Sequence, residues 1–167
     1  MDTSAVTIVP VCKEHIPSFH ATLDTVAQEI HYLGGSKAPA LEKLTAFVEN
    51  NISKGYPQLL AVVDGQVIGW VDITPGTGEF TAHRGAVGIG LLPQWRGHGL
   101  GERLLTQCIT RAFAAGMTRI ALEVRVDNLR AIALYEKCGF VREGLSRNGV
   151  RVQGTYYDTV QMALLQP

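Results

Sequence analysis

The sequence predicts an α/β fold in a single domain spanning residues 1–167, and three observations carry that expectation. β-rich runs and helical stripes alternate in the order β α α β β β α β α β β, which calls for a mixed sheet with helices on both faces. A length of 167 residues at 46% hydrophobic content supports one substantial core and does not need two. No repeat, linker or low-complexity segment interrupts the order.

Residues 7–11 read as a short strand and 14–30 as a helix, whose Ile16, Phe19, Leu23, Val26 and Ile30 recur at spacings of three to four. The run LGGSKAP breaks it, and Pro39 suits the first turn of a second helix ending near Lys54. QLLAVVDGQVIGWVDI is two β-rich runs around Asp64-Gly65, a hairpin signal. After the loop TPGTGEF, RGAVGIGLL is a strand with glycines at 88 and 90, ended by Pro93. Over 99–115 the residues Leu100, Leu104, Leu105, Ile109, Ala112 and Phe113 form one helical stripe, closed by Gly116. TRIALEV is a buried strand. DNLRAIALYEKC is a short helix with an Asp or Asn cap, closed by Gly139. FVREGLS is a further strand, and alternating Val160, Met162 and Leu164 mark the last.

Composition narrows the function. Fifteen basic residues balance fifteen acidic ones, so nothing points to a coat for nucleic acid or an anionic membrane, and any anion must be bound locally. No apolar run approaches the roughly 20 residues of a membrane span, and MDTSAVTIVP lacks a basic region followed by a long apolar one; the expected location is cytoplasmic. Cys12, Cys108 and Cys138 are odd in number, far apart and in no CxxC pair, which marks them as core residues and not as disulfides or zinc ligands. The closest histidines, His15 and His20, lie five apart and do not share a helix face, so no metal is expected.

The stretch PQWRGHGLGERLL follows a strand and opens a helix. A glycine-rich turn there gathers unpaired N–H groups and the positive end of a helix dipole, which suits a phosphate. GxxxxGK[ST] does not occur, and GxGxxG fails because Glu102 stands where the third glycine belongs. What remains is QxxGxG from Gln94 to Gly99, extended by Gly101; glycines that merely permit a tight turn are the other reading.

LLPQWRGHGLGERLL together with LEVRVDNLRAIALYEKCGF resembles the two central motifs of the GNAT superfamily, enzymes that move an acetyl group from acetyl-CoA to an amine. The likeness covers about residues 84–145, and NGVRVQGTYYDTVQM and HRGAVGIG further resemble a bacterial subset acting on amino acids and other small amines. The resemblance implies a mostly antiparallel sheet of six to seven strands flanked by four helices, with the central parallel strands splayed. It implies that the CoA pyrophosphate lies on the amides of Arg96, Gly97, His98, Gly99, Leu100 and Gly101, with the Arg96 guanidinium as a charged neighbour. The pantetheine arm would add to the strand edge near Leu91 and Leu92, Asn128 would contact CoA besides capping its helix, and Arg130 would meet a CoA phosphate. Gly88 and Gly90 would mark a bulge or a close backbone approach.

An alkylammonium has a pKa near 10, so the acceptor must lose a proton before attack. The resemblance puts Tyr135 at the family's acid, which protonates the departing thiolate; on its apolar stripe it also reads as plain core. Glu123, a carboxylate in the apolar run IALEVRV, is the candidate base, with an ion pair to Arg125 as the other reading and a water chain as its substitute. The family's acceptor wall would draw on Glu29, His31, Tyr32, His83, Tyr156 and Asp158. Glu29 and Asp158 would face an ammonium, and Tyr32 or Tyr156 would offer it a ring. The partner expected is a small-molecule amine acetylated by direct attack in a ternary complex, since no cysteine sits in a nucleophile motif. LEVR also resembles enzymes acetylating protein N-termini, and a CoA-binding sensor is a third class of reading. Dimers are common in relatives, through the C-terminal strands; no stretch of this sequence demands one.

Overall fold

A computed structural model describes residues 3–167. Seven strands form one sheet in the order β1-β2-β3-β4-β5-β7-β6. They are β1 (Thr7–Pro10), β2 (Gln58–Val63), β3 (Gln66–Pro75), β4 (Arg84–Leu91), β5 (Arg119–Arg125), β6 (Val141–Val152) and β7 (Thr155–Leu165). Four α-helices accompany them: α1 (Ile16–Gln28), α2 (Leu41–Lys54), α3 (Leu100–Ala114) and α4 (Leu129–Lys137). Every neighbouring pair is antiparallel except β4 and β5.

Two cores sandwich the sheet. On one face α1 and α2 set Phe19, Val26, Leu44 and Val48 against Leu60, Val67 and Trp70. On the other, α3 and α4 set Leu104, Leu105, Cys108, Ala112 and Ile132 against Val71, Ile73, Ile120 and Met162. Side chains of this size each contribute about 1.5–3 kcal/mol on leaving water, so the helical stripes read from the sequence are what fixes each helix to its face. The Asp64-Gly65 hairpin forms, with φ of 48° and 75°, the paired positive angles of a primed turn.

Some boundaries move. α1 stops at Gln28, and Ile30, expected inside it, turns to φ 53°. Pro39 stands before α2, which begins at Leu41 after Ala40, so it leads into the helix and is not in its first turn. β6 runs on beyond FVREGLS to Val152 and reverses at Gln153 and Gly154, giving a long hairpin with β7. Cys108 is buried in the core, whereas Cys12 and Cys138 are half-buried, Cys12 lying with its Sγ 3.1 Å from His15 Nδ1.

Candidate active site

β4 and β5 pair over only three rungs, Arg84–Arg119, Gly85–Ile120 and Ala86–Ala121, and then part. Bonds Gly76 N–H to Arg84 O and Leu92 N–H to Ile68 O bracket the β3–β4 ladder, whose register has no shift. Antiparallel alternation therefore turns the even-numbered amides of β4 toward β3 and leaves Val87, Ile89 and Leu91 with theirs on the open edge facing β5. Leu91 is one of the two positions expected to take an extended ligand, and its amide is on the open side. Leu92 is not equivalent: its N–H is already held by Ile68 at 2.9 Å, so only its side chain borders the site.

Past β4, the residues 97–101 make the turn into α3. Gly97 and Gly99 adopt φ of 80° and 78°, and no described atom lies within 4 Å of a Cβ built on either. Glycine is needed there for its backbone angle, and the space in front of it is open. No described carbonyl accepts from the amides of Gly97, His98, Gly99, Leu100 or Gly101, whereas Arg96 N–H donates to Pro93 O. Five consecutive unpaired donors thus stand at the N-terminus of a fifteen-residue helix, a setting that fits a diphosphate. Gly101 plays a third part, packing a hydrogen where a Cβ would approach Leu134 Cδ2 to 3.2 Å.

The Arg96 guanidinium is not the free neighbour expected from the sequence. Its Nε donates to Leu91 O at 2.9 Å, and its two terminal nitrogens grip both carboxylate oxygens of Glu29 at 2.9 and 2.6 Å. That pairing holds the Glu29 carboxyl below its usual range, and it removes Glu29 as a free counter-charge for an acceptor. Gly88 and Gly90 mark no bulge either. They lie opposite Asp72 and Trp70, and their missing side chains let the Asp72 carboxyl and the Trp70 ring rest on the strand.

Tyr135 lies on α4 in the core that α3 and α4 form with the sheet, 8% exposed, with its ring 5.8 Å from that of Phe140. Burial pushes its phenol up to about 12, and no described group bonds its hydroxyl, so it holds its proton throughout the neutral range. Asn128 caps α4 by accepting from Ala131 N–H at 3.2 Å. Arg130 is exposed on the same turn.

The other wall lies on β5 and β7. Glu123 is exposed and accepts from the Thr159 hydroxyl; the Arg125 pairing open to it does not form. Arg125 instead holds Asp127 at 2.9 and 2.5 Å, donates to His31 O at 2.7 Å, and lies between the rings of Tyr157 and Tyr32, 3.5 and 4.9 Å from their centroids. Tyr32 thus packs on a protein cation. Tyr157, missed in the sequence, is the β7 aromatic on this face: Thr159 and Tyr157 point to Glu123 and Arg125, and strand alternation sends Tyr156 and Asp158 to the opposite face. Tyr156 is 56% exposed with Arg151 over its ring, and Asp158 accepts from Asn148 N–H at 2.8 Å. His83 is also remote. It precedes β4 at the closed end, where its carbonyl accepts from Thr118 N–H, eight residues or roughly 25 Å of strand from Leu91. A shallow hollow of about 430 Å³ runs over this wall from Arg84 and Arg119 to Glu123 and Gln161.

The sequence profile of the acetyltransferase (GNAT) family matches residues 26–140, from the end of α1 through α4. The chain belongs to the GNAT family. Within it, the L-amino acid N-acetyltransferase AaaT of Escherichia coli is 33% identical over 110 residues, 65% of this chain and 68% of that protein. The N-alpha-acetyltransferase RimI of Mycobacterium tuberculosis is 47% identical over 66 residues, 40% of each chain. The match thus spans between two fifths and two thirds of these GNAT relatives. In structure, YncA of Salmonella typhimurium, solved with its cofactor acetyl-CoA, superimposes with a TM-score of 0.90 over 97% of this chain and 94% of its own, at 20% identity. Among the described residues of this GNAT chain no three His, Cys, Asp or Glu side chains gather as metal ligands, and no helix is long and apolar enough to cross a membrane.

Proposed function

We propose that the chain transfers an acetyl group from acetyl-CoA to the primary amine of a small molecule, an amino acid or similar, by direct attack in a ternary complex. The observation that carries this reading is the conjunction of five unpaired amides at 97–101 with the free β4 edge beside them, on a strand whose Val87, Ile89 and Leu91 pack in the same core as Tyr135. Acetyl-CoA would supply a thioester already activated toward amines. The amides of 97–101 hold its diphosphate, the odd-numbered amides of β4 align its arm and face the oxygen on which charge develops, and Asn128 and Arg130 border it at α4. Tyr135 gives a proton to the leaving sulfur.

The acceptor side fits a cation. Glu29 and Asp127 are tied to arginines, while Glu123 meets no cation among the described residues and faces the same opening. The rings of Tyr32 and Tyr157, held by Arg125 between them, wall that opening with a fixed aromatic surface, which favours a compact amino acid over an extended polyamine. The similarity to AaaT points the same way. Two copies pairing through the β6 edge, where Val141 and Leu145 are 61% and 58% exposed, accord with this architecture.

Thiol release from acetyl-CoA, measured against free amino acids, polyamines and peptide N-termini, tests the proposal. Turnover highest with a free amino acid is the expected result. Preference for a peptide would move the chain to the N-terminal class that RimI represents, and CoA binding without turnover of any amine would make it a sensor.

A further inference from the structure

Attack on the thioester requires a group that takes a proton from the acceptor, and the wall of β3 and β4 holds one that the sequence did not single out. Asp72 lies opposite Gly88, and extending the last parallel rung, Ala86–Ala121, by two residues sets Gly88 level with Glu123. Two carboxylates therefore flank the mouth of the splay at one height, on the face away from Tyr135.

Their surroundings differ. Glu123 is exposed and engaged by Thr159. Asp72 is deep in the fold with a narrow exposed strip, its two oxygens 3.0 and 3.1 Å from where a Cβ on Gly88 would stand, and no described group donates to it. Gln58, its neighbour on β2, accepts from Asn51 of α2 at 2.9 Å, β4 presents Ala86, Gly88 and Gly90, none with a side-chain donor, and α1 turns the Thr22 hydroxyl to Val67 O. From α3, through the sheet, the Cys108 thiol feels its charge. No lysine, arginine or histidine offsets its burial, which raises its carboxyl to about 7, the range in which a base works best at neutral pH.

We propose that Asp72 is the general base, taking the proton of the acceptor ammonium directly or through one water, while Glu123 across the mouth orients that ammonium. The assignment rests on the acetyl transfer proposed for this site. The ammonium gives one proton to Asp72, and the freed lone pair forms the C–N bond as the C–S pair leaves with sulfur. Sulfur takes the Tyr135 proton, the second proton lost by nitrogen as the amide forms restores Tyr135, and Asp72 returns its proton to solvent. The sum is ammonium plus thioester giving amide, thiol and one proton.

The test is the pH profile of kcat/KM for the best acceptor in the wild-type chain, Asp72→Asn and Glu123→Gln, with CoA affinity measured alongside. The wild type should show an acid limb with an apparent pKa of about 7. Asp72→Asn should lose roughly 10²–10³-fold at pH 7 and rise steadily toward the acceptor's own pKa, with CoA affinity unchanged. Glu123→Gln should raise the acceptor KM and keep the limb. A limb that persists in Asp72→Asn, or vanishes in Glu123→Gln instead, overturns the assignment. Should Asp72→Asn not fold, Gly88→Ala, whose methyl presses on the carboxyl, should shift the limb, and an unshifted limb overturns it equally. A wild-type chain that acetylates no amine defeats the acetyl-transfer reading itself, and this assignment with it.

Discussion

The two walls of the splay are built on opposite plans. On the β3–β4 wall and the adjoining turn, side chains are absent or withdrawn, at Gly88, Gly90, Gly97 and Gly99, so what faces the opening is backbone and one carboxyl without a partner. On the β5–β7 wall nearly every polar side chain is engaged: Glu123 with Thr159, Gln161 with Ser146, Arg119 with Glu143, and Arg125 with Asp127, His31 and two tyrosines. Groups with unmet bonding capacity can act on a ligand, whereas groups that satisfy one another give shape. The division assigns chemistry to the first wall and acceptor fit to the second.

The strongest test of that division is Tyr135→Phe, which completes the reactive side from α4. Loss of the proton donor should cut kcat roughly 10²-fold near neutral pH while calorimetric CoA affinity stays within about twofold. Unchanged turnover would break the contrast at once.

A second test uses stability alone. Burial raises the Asp72 carboxyl in the folded chain to about 7 from its ordinary value of about 3.8, so over that range the native chain binds an extra proton. The stability this confers is complete below about pH 4, is lost as pH climbs to about 7, and stays lost above. Asp72→Asn cannot ionise, so in thermal or urea unfolding its advantage over wild type should open between those pH values. The full shift corresponds to roughly 4 kcal/mol, and the exposed strip of the side chain reduces the expected gain to about 2 kcal/mol. A gap independent of pH would refute a desolvated carboxyl.

Gly99→Val places a β-branched side chain at φ 78° in front of the free amides. CoA affinity should fall roughly tenfold by titration, with the acceptor KM unmoved at saturating CoA. The smallest effect belongs to the other wall. Arg125→Ala removes the cation between Tyr32 and Tyr157, and the acceptor KM should rise about fivefold at constant kcat. A fall in kcat larger than the change in KM would mean that the fitting wall also does chemistry.

The sequence was most informative where function demands unusual backbone. QxxGxG ahead of a helical stripe located the turn, and the order of elements gave the sheet and both helical layers, because period and glycine placement are local properties. Side-chain partners were less legible, since they depend on register between segments far apart. Tyr156 and Tyr157 are adjacent in sequence, yet strand parity puts one on Arg151 and the other on Arg125. Arg96 and Glu29 were assigned to different ligands and bind each other across 67 positions. Asp72 carried a readable signal, a carboxylate in the apolar run IGWVDI, which is the reasoning that singled out Glu123 in IALEVRV. Its weight comes only from lying over Gly88, a fact of β3–β4 register.

The connection between α1 and α2 is fastened at both ends. Arg96 and Arg125 hold Glu29 and His31, and at the far end Asp24 accepts from Ala38 N–H at 2.9 Å while His20 lies 2.9 Å from Pro39 O. Between these rivets, residues 34–37 are exposed and bond to nothing described. Insertions or exchanges in those four positions should leave the turn at 97–101, the splayed edge and both fasteners intact. Variation in length or composition is therefore absorbed in one short span of surface, with the anchoring contacts on either side of it kept.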